Sequence, residues 1–303
     1  MEYLQGKRMK VAVIGFGMMG RQIAQVFAQH GHELAVTDEN KQALTTGIDE
    51  ISNGPYGIKS AIAKGKITAE EGARALQAIR VAPTMEEACA DSDLVIEAVF
   101  ESLLLKQKVL HKLDSFSPKT ALLASNTSTL GISKIASDVD TKERVVGMHF
   151  FNPAQVTKLV EIVKGQQTSP NSVDRASKIV QMIGKTPITV LDEPGFVANR
   201  LGLTLYVEAS RLFEEGVATV RDIDLAMKLG YGHPMGPFEV ADLVGLDTRL
   251  RNLEALHQQT GDEKWIPPKN LREMVNSGYL GDPSRRAESK GGYYEYTKSV
   301  RPN

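Results

Sequence analysis

Through the first 190 residues, short unbroken apolar runs alternate with longer stretches in which apolar positions recur every three or four residues. "MKVAVI" (9–14), "ELAVTD" (33–38), "DLVIEAV" (93–99) and "TALLAS" (120–125) have the length and composition of buried strands. "RVVGMHFF" (144–151), "LVEIV" (159–163) and "TPITVL" (186–191) complete a β-rich half. Between the strands, "RQIAQVFAQHGH" (21–32) reads as a helix, and a charged helix runs from "DLVIEAV" through Leu113. Residues 41–80 also read as helical, broken at Asn53-Gly54-Pro55 because proline cannot continue a helix. Thr68 with Glu71 three positions on is a capping-box signature for its last part. Strands that alternate with helices predict an α/β, doubly wound, mostly parallel sheet covered on both faces.

After about Asp192 the strand signals stop. "PGFVANRLGLTLYVEASRLFEEG" carries apolar residues at helical spacing and ends in Gly216. "TVRDIDLAMKLGYG" has Thr219 three before Asp222 and predicts a short capped helix. "PFEVADLVGLDTRLRNLEALHQQTG" predicts a third helical stretch with Pro237 at its start. The expected organisation is a sheet domain over 1–191 and an all-helical domain over 192–303.

Composition narrows the class. The 36 basic and 37 acidic residues nearly cancel and form no basic block, which argues against a nucleic-acid surface. No apolar run approaches the roughly 20 residues that span a bilayer. The N-terminal "MEYLQGKRMKVAVIGFGMMG" runs directly into strand and glycine turn, unlike a signal or transit peptide. Cys89 is the single cysteine, which excludes an internal disulfide and fits a reducing compartment. A cytoplasmic globular protein without a metal site is expected.

Gly15, Gly17 and Gly20 spell G-x-G-x-x-G between a strand and a helix, with Met18 and Met19 inside the turn. The first glycine permits the tight turn, the second lets a pyrophosphate approach, and the third lets helix and strand pack closely. The helix N-terminus offers free N–H groups to the phosphates. Asp38 ends the second strand, 18 residues after Gly20, where a carboxylate can accept both ribose hydroxyls and repel a 2′-phosphate. This Rossmann-type arrangement predicts NAD rather than NADP.

A nicotinamide needs a partner that takes or gives the hydroxyl proton as hydride moves. The candidates are the "SNTST" turn, His149, and the helix start in "PGFVANR". His149 and Glu161 each interrupt an apolar run, and Pro153 lets the chain return so that the two can meet. A carboxylate beside one imidazole nitrogen fixes the tautomer and leaves the other nitrogen as base.

Five separated segments then carry a resemblance. "VIGFGMMGRQIAQVFAQHGHELAVTD", "ASNTSTLGISKIA", "GMHFFNPAQVTKLVEIV", "PGFVANRL" and "GVATVRDIDLAMKLGYGHPMGPFEVADLVGLD" are similar, in order, to the NAD-dependent L-3-hydroxyacyl-CoA dehydrogenases. The likeness covers nearly the whole chain. It implies reversible oxidation of an (S)-3-hydroxyacyl-CoA to a 3-oxoacyl-CoA, in a homodimer formed through the helical domain. By motif, it makes His149 the general base, Glu161 its orienting acid, Ser128 a contact to substrate and cofactor, and Asn199 a substrate contact. It places Asn152, Glu101 and Lys106 at the nicotinamide-ribose end. Lys64 is the first match for a CoA-contacting lysine and Lys59 the second. The C-terminal "LGDPSRRAESKGGYYEY" departs from the family pattern and puts Lys290 in place of the family lysine near the cofactor.

Four rival readings remain distinguishable. A 3-hydroxyacid dehydrogenase with a lysine base would want that lysine near a glycine pair in the central helix region, where the chain has "GFVANRLG" instead. A nucleotide-sugar dehydrogenase needs a catalytic cysteine, and Cys89 in "EEACADSDLV" precedes a strand, away from the expected site. A dehydrogenase of free hydroxy acids, of carnitine or gulonate type, looks more like "HPFNP" than the "HFFNP" found here. A non-catalytic NAD-binding relative would not need Ser128, His149, Glu161 and Asn199 together.

Overall fold

A computed structural model describes residues 8–284 and 286–300. The chain divides into two compact units, with the break between Glu193 and Pro194.

The first unit is built on eight strands: β1 (Lys10–Ile14), β2 (Glu33–Thr37), β3 (Ile79–Val81), β4 (Leu94–Glu97), β5 (Leu122–Ser125), β6 (Val145–Phe150), β7 (Leu159–Lys164) and β8 (Thr186–Leu191). They form one sheet in the order β3-β2-β1-β4-β5-β6-β7-β8. Pairings from β3 through β6 are parallel, β6 with β7 is antiparallel, and β7 with β8 is parallel again. Val11, Ala12, Val13 and Ile14 of β1 are each at most 2% exposed, so this strand is covered on both faces, as parallel strands must be. Burying each Val or Ile stabilises the fold by roughly 1.5–3 kcal/mol.

Helices supply the cover: α1 (Met18–Gln29), α2 (Lys41–Asn53), α3 (Ile58–Ala63), α4 (Ala69–Gln77), α5 (Met85–Cys89), α6 (Leu103–Phe116), α7 (Ile132–Ile135) and α8 (Pro170–Met182). Ile23, Val26 and Phe27 of α1 join Val11, Val13 and Ile96 of the sheet in the main core. The predicted helical span 41–80 is three helices rather than two, because Ala63 to Thr68 leaves the helix through Gly65 at φ +65°. Thr68 and Glu71 close the capping box at the start of α4. Strand β3 and helix α8 were not anticipated. The strand is only three residues long, and the helix is announced chiefly by Ser169, whose side chain accepts from Ser172 N–H ahead of Pro170.

The second unit contains α9 (Ala198–Glu214), α10 (Val220–Leu225), α11 (Pro237–Val244), α12 (Leu246–Thr260), α13 (Lys269–Asn276) and α14 (Tyr293–Val300). Its core gathers Tyr206, Phe213, Phe238, Leu253, Trp265, Leu271 and Tyr293. The stretch expected as one helix over 237–261 is two. Gly245 breaks it at φ +103°, where a Cβ would meet the Arg286 guanidinium, and Leu246 N–H turns to Leu280 O. Among the described residues no helix is long and apolar enough to cross a membrane.

Candidate active site

Parallel strands deliver their C-terminal ends to one edge of the sheet, and the order reverses between β1 and β4. Open α/β sheets bind ligands at such a switch point. The residues that follow β1, β4 and β5 and those ending β6 are therefore neighbours: the glycine turn, residues 98–101, the SNTST turn and His149.

The glycine turn is tightly constrained. A Cβ on Gly15, at φ +92°, would lie 2.7 Å from Ala98 O, and one on Gly20 would lie 1.9 Å from Gly15 O. Gly17 differs, with nothing within 4 Å of a Cβ position. The turn is thus closed behind and open in front, and no side chain caps the α1 N-terminus that follows it. A pyrophosphate fits that open face, where free N–H groups and the helix dipole favour negative charge. Met18 is exposed, whereas Met19 packs against the core. Asp38 is half-buried and fixes the turn from the side: Oδ2 accepts from Phe16 N–H at 2.6 Å and Oδ1 from Asn40 N–H at 2.7 Å. Each oxygen retains a second lone pair for a ribose hydroxyl.

Behind residues 98–101 lies a charge cluster. Glu97, fully buried at the end of β4, accepts from Lys106 Nζ at 2.7 Å, Val99 N–H at 2.7 Å and Ser125 Oγ at 2.6 Å. Lys106 is 1% exposed; its ammonium also reaches Val99 O at 3.2 Å and Glu101 Oε2 at 3.3 Å. Glu101 Oε1 in turn collects Thr127 Oγ1 at 2.7 Å and the Ser128 and Thr129 N–H groups at 3.0 and 3.1 Å. Burial pushes the Glu101 carboxyl up, but the Lys106 ammonium and the donors from Thr127, Ser128 and Thr129 outweigh it and hold it below the usual carboxylate range. The anion organises the SNTST turn and sets the height of Ser128, whose Oγ lies 3.4 Å from Glu101 Oε1. Asn126 joins this turn to the next strand, accepting from Phe150 N–H at 2.9 Å.

His149 and Glu161 face each other in the β6–β7 ladder as a register pair. His149 is 5% exposed and Glu161 fully buried, and Nδ1 lies 2.7 Å from Oε2. An ionised carboxylate only accepts, so Nδ1 donates to it. Phe151 packs on the imidazole, with ring centroids 4.3 Å apart. Asn152 follows, exposed, and Gln22 Nε2 donates to its Oδ1 at 3.0 Å.

The remaining sequence candidates belong to other elements. Lys59 sits in α3 and Lys64 at its C-terminus, both exposed. Asn199 is the second residue of α9 in the helical unit. Lys290, also in that unit, donates to Ser277 O at 2.8 Å. Cys89 is buried and its thiol is pushed up to about 12 by burial, so it is no nucleophile. Sequence reasoning missed Glu97, Asn126 and Gln22. Glu97 had a readable signal, a carboxylate inside the apolar run "DLVIEAV".

A glycine turn of this form beside a strand-end acid is the pattern of a dinucleotide-binding domain. Residues 10–193 match the family described as 3-hydroxyacyl-CoA dehydrogenase, NAD binding domain, and residues 195–296 match 3-hydroxyacyl-CoA dehydrogenase, C-terminal domain. A probable 3-hydroxybutyryl-CoA dehydrogenase of Bacillus subtilis is 40% identical over 291 residues, covering 96% of this chain and 98% of the relative. A 3-hydroxyadipyl-CoA dehydrogenase of Escherichia coli is 40% identical over 276 residues, covering 90% of this chain but 57% of that longer protein. The crystal structure of (S)-3-hydroxybutyryl-CoA dehydrogenase from Ralstonia eutropha superposes with a TM-score of 0.85 at 37% identity, covering 93% of this chain and 98% of that one. The chain belongs to the 3-hydroxyacyl-CoA dehydrogenase family of NAD-dependent enzymes.

Proposed function

We propose that the enzyme interconverts an (S)-3-hydroxyacyl-CoA and the 3-oxoacyl-CoA, with His149 as general acid/base and Glu161 as the acid that orients it. The observation that supports this reading is the buried 2.7 Å contact of His149 Nδ1 with Glu161 Oε2, with Nε2 taken as the base. NAD, when bound, supplies the hydride acceptor. His149 Nε2 takes the hydroxyl proton as C3 loses hydride, and the ring becomes imidazolium. Glu161 stabilises that charge in surroundings of low dielectric. In reverse, the imidazolium returns its proton to the ketone oxygen as hydride arrives at C3. Effective proton transfer by a positioned side chain contributes roughly 10²–10⁴-fold.

Ser128 holds the substrate oxygen with a neutral hydrogen bond, its position set by Glu101. Asn199 supplies a second substrate contact. Glu101 faces the nicotinamide-ribose end together with Asn152, and Lys106, inside its ion pair, acts there through Glu101. Gly15, Gly17, Gly20, Met18, Met19 and Asp38 form the pyrophosphate and adenosine end, with Lys290 as a further cofactor contact. Lys59 and Lys64, both exposed, are suited to the CoA phosphates. A homodimer forms through the helical unit, where Leu201, Val217, Leu229 and Tyr231 are each at least 64% exposed; sedimentation at twice the chain mass checks it.

Acyl length follows the relatives' names in two directions, a four-carbon chain and a dicarboxylic six-carbon chain. Acetoacetyl-CoA should oxidise NADH in the presence of this enzyme, and free acetoacetate should not. Equal rates with both would move the assignment to free hydroxy acids. A ladder of 3-oxoacyl-CoA lengths, dicarboxylic members included, then sets the preference.

A further inference from the structure

Two glutamines on the buried face of α1 reach the turn that follows His149. Gln22 is 8% exposed and Gln25 is 1% exposed, one helical turn apart. Gln22 Oε1 accepts from Ala154 N–H at 2.7 Å, and its Nε2 donates to Asn152 Oδ1 at 3.0 Å. Gln25 Nε2 donates to Tyr56 O at 2.8 Å, and its Oε1 accepts from Gln155 Nε2 at 2.9 Å.

An amide side chain is ambiguous in isolation, since its oxygen and nitrogen ends have nearly the same shape. Here backbone groups remove the ambiguity. A backbone N–H can only donate, so Ala154 fixes the oxygen end of Gln22. The nitrogen end of Gln22 must then face Asn152, and a nitrogen needs an acceptor. Asn152 therefore presents Oδ1 inward, which leaves its Nδ2 donor for the exposed side of the turn. Tyr56 O fixes Gln25 by the same logic with the roles reversed, and Gln25 anchors Gln155 three residues further along the turn.

We infer that Gln22 is a positioning residue of this enzyme: it sets the Asn152 amide so that Asn152 donates a hydrogen bond to an acceptor oxygen at the nicotinamide-ribose end of the cofactor. The inference rests on the reading of Asn152 as a cofactor contact. Its physical consequence is that α1, whose N-terminus meets the pyrophosphate, and the turn after His149, which meets the nicotinamide end, form one frame. Two buried amides tie them, and neither is exposed to competing water.

The test uses the full chain and reads NADH dissociation by nucleotide fluorescence, KM for NADH, kcat, and the melting temperature. Gln22→Glu keeps the shape and the acceptor for Ala154 N–H but offers Asn152 only oxygen. Asn152 then turns over and points its own oxygen at the cofactor. The expected result is NADH affinity weakened by about 3- to 30-fold, the scale of one hydrogen bond reversed, with KM rising more than kcat falls. Gln22→Met removes both polar ends, leaves Asn152 unoriented, and gives a smaller loss of the same kind, so the test stands if the glutamate variant does not fold. In an Asn152→Ala background, Gln22→Glu has no further effect on NADH affinity, because the group it orients is gone. Unchanged NADH affinity in both Gln22 variants, or a Gln22→Glu effect that adds in full to Asn152→Ala, overturns the positioning role while leaving Asn152 as a contact. Asn152→Ala with wild-type NADH affinity removes the Asn152 reading itself.

Discussion

Lys106 and Glu97 form an ion pair in the interior of the sheet unit, 2.7 Å apart with side chains 1% and 0% exposed. A pair so fully removed from water persists because both charged groups have further hydrogen-bond partners. Val99 N–H and Ser125 Oγ complete the carboxylate, and Val99 O and Glu101 complete the ammonium. The pair stands between a buried strand end and the turn that carries Ser128, so it links the core to the site.

Lys106→Met leaves the Glu97 carboxylate buried and unpaired, which costs roughly 3–5 kcal/mol of stability. Urea unfolding should show that loss, and Glu97→Gln combined with Lys106→Met should recover most of it. If the single variant stays within about 0.5 kcal/mol of wild type, a range typical of surface changes, the pair has no such role.

The Asp38 carboxylate holds the glycine turn through Phe16 N–H and, on the proposed reading, also excludes a 2′-phosphate; two readouts of one substitution tell these roles apart. Asp38→Ala strips the acceptor from Phe16 N–H, lowering stability by about 1 kcal/mol, and removes the charge that repels a 2′-phosphate. The ratio of kcat/KM for NAD over NADP should fall by at least about tenfold, the effect of 1.4 kcal/mol. An unchanged ratio would mean the ribose is read elsewhere.

Glu161→Gln keeps an acceptor near His149 but withdraws the charge that stabilises the imidazolium. Hydrogen bonds to charged groups are worth about 1.5–3 kcal/mol, so kcat should drop by roughly 10- to 100-fold while KM for NADH moves little. A loss shared equally between kcat and cofactor affinity would point to a distorted strand pair instead.

Away from the site, His32 introduces a pH dependence of folding. It is 4% exposed, its Nδ1 accepts from Met9 N–H at 3.3 Å, and Nε2 has no partner among the described residues. Burial, helped by the charges of His30 and Arg8, holds its pKa below the ordinary 6.5. As pH falls through 6.5 the unfolded chain takes up the proton first. The stability contributed by neutral His32 is therefore full above about 6.5 and is lost as pH falls from there towards the folded-state value. Denaturation midpoints measured from pH 7.5 to 5 should decline, and His32→Phe should flatten that decline. A parallel decline in both proteins would assign the titration to other groups.

How much of this was legible beforehand depends on whether a residue acts locally. Glu161 stood out because a carboxylate in "LVEIV" has no business in an apolar strand without a partner, and Pro153 announced the return that brings one. Glu97 sends the same signal in "DLVIEAV", yet its partner Lys106 lies in the next helix among residues typical of a solvated face. Gln22 was invisible. On a helical wheel it reads as an ordinary polar position, and its meaning comes from Asn152 and Ala154, some 130 residues away. Gly245 failed for the opposite reason: "LVGLD" continues a helical apolar rhythm, and the break is met by groups from a distant segment, the Arg286 guanidinium and Leu280 O.

His149 is the proposed group that exchanges the proton. Steady-state reduction of acetoacetyl-CoA by NADH, measured for His149→Gln beside wild type together with NADH affinity, tests it most directly. The predicted result is a kcat lower by roughly 10²–10⁴-fold with NADH affinity nearly unchanged. A variant that retains kcat within a fewfold of wild type would contradict it.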